Sequence, residues 1–411
     1  MTDASSSPTG GFSLISPPIV ITALLAATWF VLSVYRVTFS VALPDVLAET
    51  SVNYTEVSVL FGALFIGYAV SQFPAGSLAD RVGVRTVLIG GAGIASLALS
   101  SLAVATNYFH VFAALLLVGT GIGSFRAVSQ VAISSHVPDE YEGKALGLLT
   151  AAEPFSYVVG PVTVALLLET YDLYTMPLVL ALAPLPLLGI LLTTRSLPAR
   201  VDSDLVAIPT FRQAGTVFRD LLRRTETGLL VGFGIAFSTT TNALIAILPW
   251  YLVETTSLTL TLGTLYAGGV FGAGAVGAIL GGVLRDRVGA VPILCVGFAA
   301  AASMLVVFAL SSTVGQLLVV LAVFSLGLNS ILPARDRIIN VQARECSTTH
   351  TGAMIGALRS LCYLGGGLGA VIVGLTFAQF GLTAGFGLLV ILLCAGLCCS
   401  VALWYVSGRR Y

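Results

Sequence analysis

Gly76-Ser77-Leu78-Ala79-Asp80-Arg81-Val82-Gly83-Val84-Arg85 lies between two long apolar runs. A weaker copy, Gly282-Val283-Leu284-Arg285-Asp286-Arg287-Val288-Gly289, lies about half a chain later, again between apolar runs. A polar signature that recurs in this setting predicts a membrane protein built from two homologous halves. A second repeat agrees: Gly143-Lys144-Ala145-Leu146-Gly147-Leu148-Leu149 matches Gly352-Ala353-Met354-Ile355-Gly356-Ala357-Leu358, and the alignment sets Arg126 opposite Arg335.

Composition supports the membrane reading. Of 411 residues, 57% are hydrophobic and 9% charged, with a mean hydropathy of +0.99; this is too little polar surface for a soluble globule, so the partner is the lipid bilayer. The apolar runs are continuous and lack the alternation of barrel strands, which predicts spanning helices. Net charge is zero. Apart from Lys144 the basic residues are arginines scattered between apolar runs, a pattern that argues against nucleic acid. The six cysteines, Cys295, Cys346, Cys362, Cys394, Cys398 and Cys399, fall mostly inside apolar runs and read as packing filler. His110, His136 and His350 lack partners at metal-ligand spacing, and no phosphate-binding glycine loop is present. Neither metal nor cofactor is expected, no catalytic residues are read, and the chain is expected not to be an enzyme.

Stretches long enough for roughly 30 Å of hydrocarbon predict helices near 19–43, 55–75, 84–106, 109–135, 144–168 and 173–193. A second six follow near 228–253, 260–284, 290–312, 315–340, 351–379 and 382–407. The expected organisation is a disordered tail (1–18), a six-helix bundle (19–193), a linker with an amphipathic piece (194–227), a second six-helix bundle (228–407) and a short tail (408–411). Basic residues gather in connectors on one side, among them Arg81, Arg85, Lys144, Arg219, Arg285 and Arg344. The other side carries Asp45, Glu49, Glu56, Glu169, Asp172 and Glu254 with no Lys or Arg. Both termini and the linker are therefore expected in the cytoplasm, with the chain a multi-pass protein of the cell membrane.

The repeated signature resembles the short cytoplasmic motif between the second and third helices of major facilitator superfamily transporters, and the resemblance runs from about Ile19 to Val406. It implies an all-α fold of twelve helices in two pseudo-symmetric halves, a central site between them, and alternating access. Gly76 and Gly83 suit close helix approach and a tight turn, Asp80 suits a helix N-terminus across the interface, and Arg81 and Arg85 can reach Asp139 or Glu142. With Asp286 and Arg287 of the second copy these residues are expected to form a conformational latch. Tyr35-Arg36-Val37-Thr38-Phe39-Ser40-Val41-Ala42 resembles the first-helix pattern of the superfamily's organic-anion branch, with Thr38 where Asn is usual; there the arginine contacts a substrate carboxylate. Gly147, Gly160 and Pro161 resemble a motif of the drug antiporters, with Ser156, Val164 and Ala165 where glycines are usual. The arginine that normally precedes the Gly119-Thr120-Gly121 pair is replaced by Leu115.

Charges inside apolar helices mark function, because each is costly to bury. These are Arg36, Arg126, Glu153, Arg335, Asp336, Arg337 and Arg359, five cations against two anions. Surplus guanidinium suits an anion, since it stays charged and forks onto carboxylate or phosphate. Arg335 and Arg337 also fit snorkelling to the interface. The expected substrate site is Arg36, Arg126, Arg335 and Arg359 with Tyr35 and Tyr157. Glu153 is expected to meet Arg126 at equal depth, each about nine residues from its helix end at 1.5 Å per residue, and to couple transport to protons. The chain thus reads as a secondary transporter of a small organic anion driven by protons. A drug or metabolite efflux antiporter and a non-transporting sensor or receptor are the other readings. A cysteine introduced at Ser203 should label only from the cytoplasm and one at Asn53 only from outside; labelling of both from one side would overturn the orientation.

Overall fold

The structure, a computed structural model, describes residues 17–42, 46, 54–193, 224–256, 258–311, 313–346 and 351–407. The tail and linker expectations lie outside them except at 17–18 and 224–227, where the first helix already begins at Pro17 and the one after the linker at Thr225. Among the described residues the chain is all α, with no strand. The helices are α1 (Pro17–Val41), α2 (Tyr54–Val82), α3 (Val84–Ser101), α4 (Tyr108–His136), α5 (Asp139–Thr170), α6 (Met176–Leu182), α7 (Leu185–Thr193), α8 (Thr225–Thr256), α9 (Leu260–Val288), α10 (Ala290–Ala309), α11 (Val314–Cys346) and α12 (Thr351–Ser407). Backbone groups in lipid must be satisfied within the segment, and this explains the length and continuity of these helices. The sixth span is the pair α6 and α7, parted at Ala183-Pro184 because proline cannot donate to the preceding turn. The eleventh and twelfth spans are the two arms of α12, parted at Gly381, whose φ is 81°. The result is twelve spans in two six-helix halves.

The repeated signature is helical and not a loop. Helix α2 runs through Pro74 to Val82, and a single residue, Gly83 at φ 91°, turns the chain into α3. Gly289, at φ 93°, does the same between α9 and α10. Any L side chain is strained at these angles, so both turns require glycine. Gly76 departs from expectation: a Cβ there would meet nothing within 4 Å, so it is not at a close approach here. The turn between α5 and α6 is closed by Asp172. Its carboxylate accepts from the Thr175 and Tyr174 amides at 2.6 and 3.1 Å, and the bonds from Thr175 hold it below the usual carboxylate range.

Each half has its own core. One gathers Leu25, Leu32, Leu64, Leu88, Ile122 and Leu149, the other Leu230, Phe233, Leu294, Phe298, Phe324 and Leu393. Lipid tails are as apolar as leucine, so close packing of small residues holds the helices together. A Cβ on Gly119 would strike the Leu64 carbonyl, pinning α4 to α2, and one on Gly121 would strike Gly91 of α3. The second half repeats the device: Gly277 and Gly281 of α9 pack on Leu326 and Ser330 of α11, and Gly297 of α10 on Gly327 of α11. Gly119-Thr120-Gly121 is therefore a packing surface.

The halves approach closely at the end remote from Gly83 and Gly289. There Gly62 packs on Val371, Gly374 on Ser58, and Gly367 on Phe65, while Val158 of α5 sits against Gly268 and Gly272 of α9. A Cβ at Gly268 would lie 2.6 Å from the Val158 carbonyl oxygen, whereas one at Gly269 would meet nothing within 4 Å. Gly268→Ala should therefore be less stable than Gly269→Ala by about 1–3 kcal/mol, the usual cost of overpacking. The two changes share a helix and a helix-propensity gain, so equal unfolding temperatures in detergent would show that this seam does not hold the halves.

Candidate functional site

A central cavity of about 100 Å³, counted at water centres, lies between the halves. A buried water needs roughly 10–15 Å³ by that measure, so the space suits several waters or a small solute. Its N-terminal wall comes from α1, α2, α4 and α5, and its C-terminal wall from α8, α9, α11 and the first arm of α12.

Arg36 anchors the first wall. It is 2% exposed, and its Nη1 donates to Glu153 Oε1 at 2.6 Å. Tyr157, one turn on from Glu153, donates its hydroxyl to the same oxygen at 2.9 Å. The Arg36 Nη2 reaches Asn242 Oδ1 of the other half at 3.4 Å, and its guanidinium lies 4.7 Å from the Tyr68 ring centroid. The Arg36 Nε has no partner.

The second wall carries a triad. Arg335, 3% exposed, donates to Asp336 Oδ1 with its Nη2 at 3.0 Å; Arg359 reaches Oδ2 at 3.3 Å. The Arg359 Nη1 also donates to Gln130 Oε1 at 2.9 Å, a hydrogen bond that crosses from one half to the other. Sequence equivalence of Arg126 and Arg335 is matched in space. Both line the cavity, each stacks on an aromatic ring at 5.0 Å (Trp29 and Phe237), and each has an Nη1 without a partner. Four guanidinium groups thus face two carboxylates across one cavity, a surplus of two positive charges.

Arg36, Arg126, Arg335, Arg359, Tyr157 and Glu153 all line this space. Tyr35 does not: its hydroxyl bonds to Ser96 at 3.2 Å and to the Leu180 carbonyl at 3.4 Å inside the first half. Neighbouring residues on a helix point about 100° apart, and on α1 this turns Arg36 to the cavity and Tyr35 into the first half. The expected Arg126–Glu153 pairing is replaced by Arg36–Glu153. Helix α5 begins at Asp139 and not near 144, so Glu153 lies 14 residues in, whereas Arg126 lies 10 residues before the end of α4. At 1.5 Å per residue the carboxylate sits about 6 Å deeper than expected relative to Arg126. Arg337 is exposed and away from the cavity.

Of the latch residues, Arg81 is exposed and Arg85 half-buried. The side chains of Asp80, Asp139 and Glu142 are outside those described. Asp286 is 64% exposed and pairs with its neighbour Arg285 at 2.7 Å, not across the halves, and Arg287 is exposed. Arg285 ties α9 to α11 through the Pro333 carbonyl at 3.2 Å. Sequence reasoning did not single out Tyr68, Gln130 or Asn242; an amide inside an apolar run was the available signal for the last two.

A sequence model of the Major Facilitator Superfamily matches residues 19–331. The chain belongs to the major facilitator superfamily. It is 33% identical over 138 residues to the uncharacterized transporter YybO of Bacillus subtilis (strain 168), covering 33% of this chain and 32% of that protein. It is 24% identical over 152 residues to the hexuronate transporter of the same organism, covering 37% and 36%. These alignments span about a third of each relative. Among solved structures, a D-xylose–proton symporter superposes with a TM-score of 0.74 at 15% identity, covering 95% of this chain and 98% of that one.

Within this superfamily fold the Arg36–Glu153 pair should be costly to break from one side only. Arg36→Gln leaves a buried carboxylate with reduced compensation and should cost about 3–5 kcal/mol, while Arg36→Gln combined with Glu153→Gln should recover most of it. Thermal unfolding of the purified variants checks this, and an equally unstable double variant would show that the loss does not come from an orphaned carboxylate.

Proposed function

We propose that the protein is a secondary transporter that works by alternating access, carrying a small organic anion coupled to protons. The observation that carries the reading is the set of four arginines facing two carboxylates in a cavity shared by both halves. The Nη1 atoms of Arg126 and Arg335 are unpartnered donors on residues that line this cavity, and a carboxylate could satisfy them. In the proposed orientation the termini are cytoplasmic in the cell membrane, as the arginine-free connectors of the opposite side suggest. The seams at Gly268 and Gly367 are then the closed outer gate. The signature residues act at the inner gate, where the Arg359–Gln130 bond already joins the halves.

Coupling follows from the double use of Arg36. With the site empty of substrate its charge holds Glu153 ionised; an incoming carboxylate that forks onto Arg36 withdraws that compensation, and Glu153 then takes a proton. Anion and proton cross together, because a second uncompensated carboxylate is too costly to carry through a closed cavity. Glu153→Gln should abolish accumulation driven by an imposed pH gradient in proteoliposomes yet leave substrate exchange intact. A variant that still concentrates substrate would remove Glu153 from the coupling role. In the unaltered protein, export against the gradient would instead identify an efflux antiporter, and binding without flux a sensor or receptor.

A further inference from the structure

Resting on the anion reading, we infer that the cargo is amphipathic: a monocarboxylate with an apolar, ring-sized body, and not a polyhydroxylated acid. The cavity is polarised along its length. Arg126, Arg335, Asp336 and Arg359 gather toward the Gly83 side. Beyond them the C-terminal wall turns apolar, with Leu244 and Leu248 of α8, Val270 and Phe271 of α9, and Leu321 and Phe324 of α11. On α11 alone Leu321 stands 14 residues from Arg335, about 21 Å at 1.5 Å per residue. On the C-terminal wall the apolar end is thus separate from the charged end, while the Arg36–Glu153 pair faces it from the N-terminal wall.

The polar groups among these apolar residues are partly committed within the protein. Asn329 Nδ2 donates to the Ser325 carbonyl at 2.9 Å, and Asn242 Oδ1 accepts from Arg36 at 3.4 Å. The hydroxyls of Ser238 and Thr241 are without partners. The remaining amide and hydroxyl atoms are scattered, and each cargo hydroxyl pressed against leucine or phenylalanine would lose its water without replacement. An aromatic or branched body instead gains from burial. Phe271 is placed to receive it: half-buried, it lies 5.7 Å from the ring of Tyr157, whose hydroxyl holds Glu153. The body would then lie beside Phe271 with the carboxylate toward the arginines.

The test titrates the purified full-length protein with 3-phenylpropanoate, propanoate, D-glucuronate and benzyltrimethylammonium, reading ligand-induced thermal stabilisation. The expected result is half-maximal stabilisation by 3-phenylpropanoate at a concentration at least about tenfold below that for D-glucuronate, on the scale by which apolar pockets sort ligands. Phe271→Asn should weaken 3-phenylpropanoate about tenfold and propanoate less than about threefold, while Phe271→Leu keeps both within about threefold. Tighter binding of D-glucuronate would overturn this inference and leave the anion reading standing, and equal loss of both acids in Phe271→Asn would also overturn it. Silence of 3-phenylpropanoate up to about 10 mM would overturn it too; a response to propanoate or D-glucuronate would then preserve the anion reading. Stabilisation by benzyltrimethylammonium alone would sink both.

Discussion

A guanidinium cannot shed its charge, so four of them at the centre of an apolar helical bundle must be compensated where they stand. Glu153 and Asp336 supply the negative charge, Asn242 and Gln130 supply amide oxygens, and Trp29, Tyr68 and Phe237 offer ring faces. Most of the polar architecture of the cavity serves this need. The compensation is deliberately incomplete in number, with two charges left over and several N–H groups unpartnered. A bundle that only needed to fold would gain by replacing such groups with packed hydrophobes.

The partners also lie in different halves. Arg36 belongs to the first half and Asn242 to the second; Arg359 to the second and Gln130 to the first. A ligand that enters this network therefore changes contacts within each half and between them at once, which is the differential interaction that any ligand-driven conformational shift requires. The glycine seams at the remote end set the other boundary condition. They rest on van der Waals fit between backbones and small side chains, which is lost over a short separation and so favours two discrete states over a continuum.

Hydropathy and the repeated signature carried the fold: each of the twelve spans overlies the stretch where apolar length placed it, with ends displaced by up to seven residues. Boundaries were harder, because polar sequence can remain helical where a helix leaves lipid. The extension of α5 back to Asp139 is one case, and it redirected Glu153 from Arg126 to Arg36. Charged site residues were legible because a charge inside an apolar run is conspicuous. Tyr35 was not separable from Arg36 by composition, since helical phase decides which of two neighbours faces the cavity. The amides and the apolar wall were hidden for another reason: leucine facing a cavity and leucine facing lipid look alike in sequence.

Gly83, Gly289 and Gly381 each join two antiparallel spans through a single residue with positive φ. Consecutive Cα atoms are about 3.8 Å apart, so the paired spans have no slack with which to slide past one another. Kinematically each pair is tethered at one end, and three such tethers reduce the number of independent motions in the molecule. Motion must then be taken up elsewhere, at the interface between the halves and at the proline-broken joint of α6 and α7. Reorientation of the cavity becomes a problem with few degrees of freedom, in which a small rotation at the centre appears as a large displacement at both membrane surfaces.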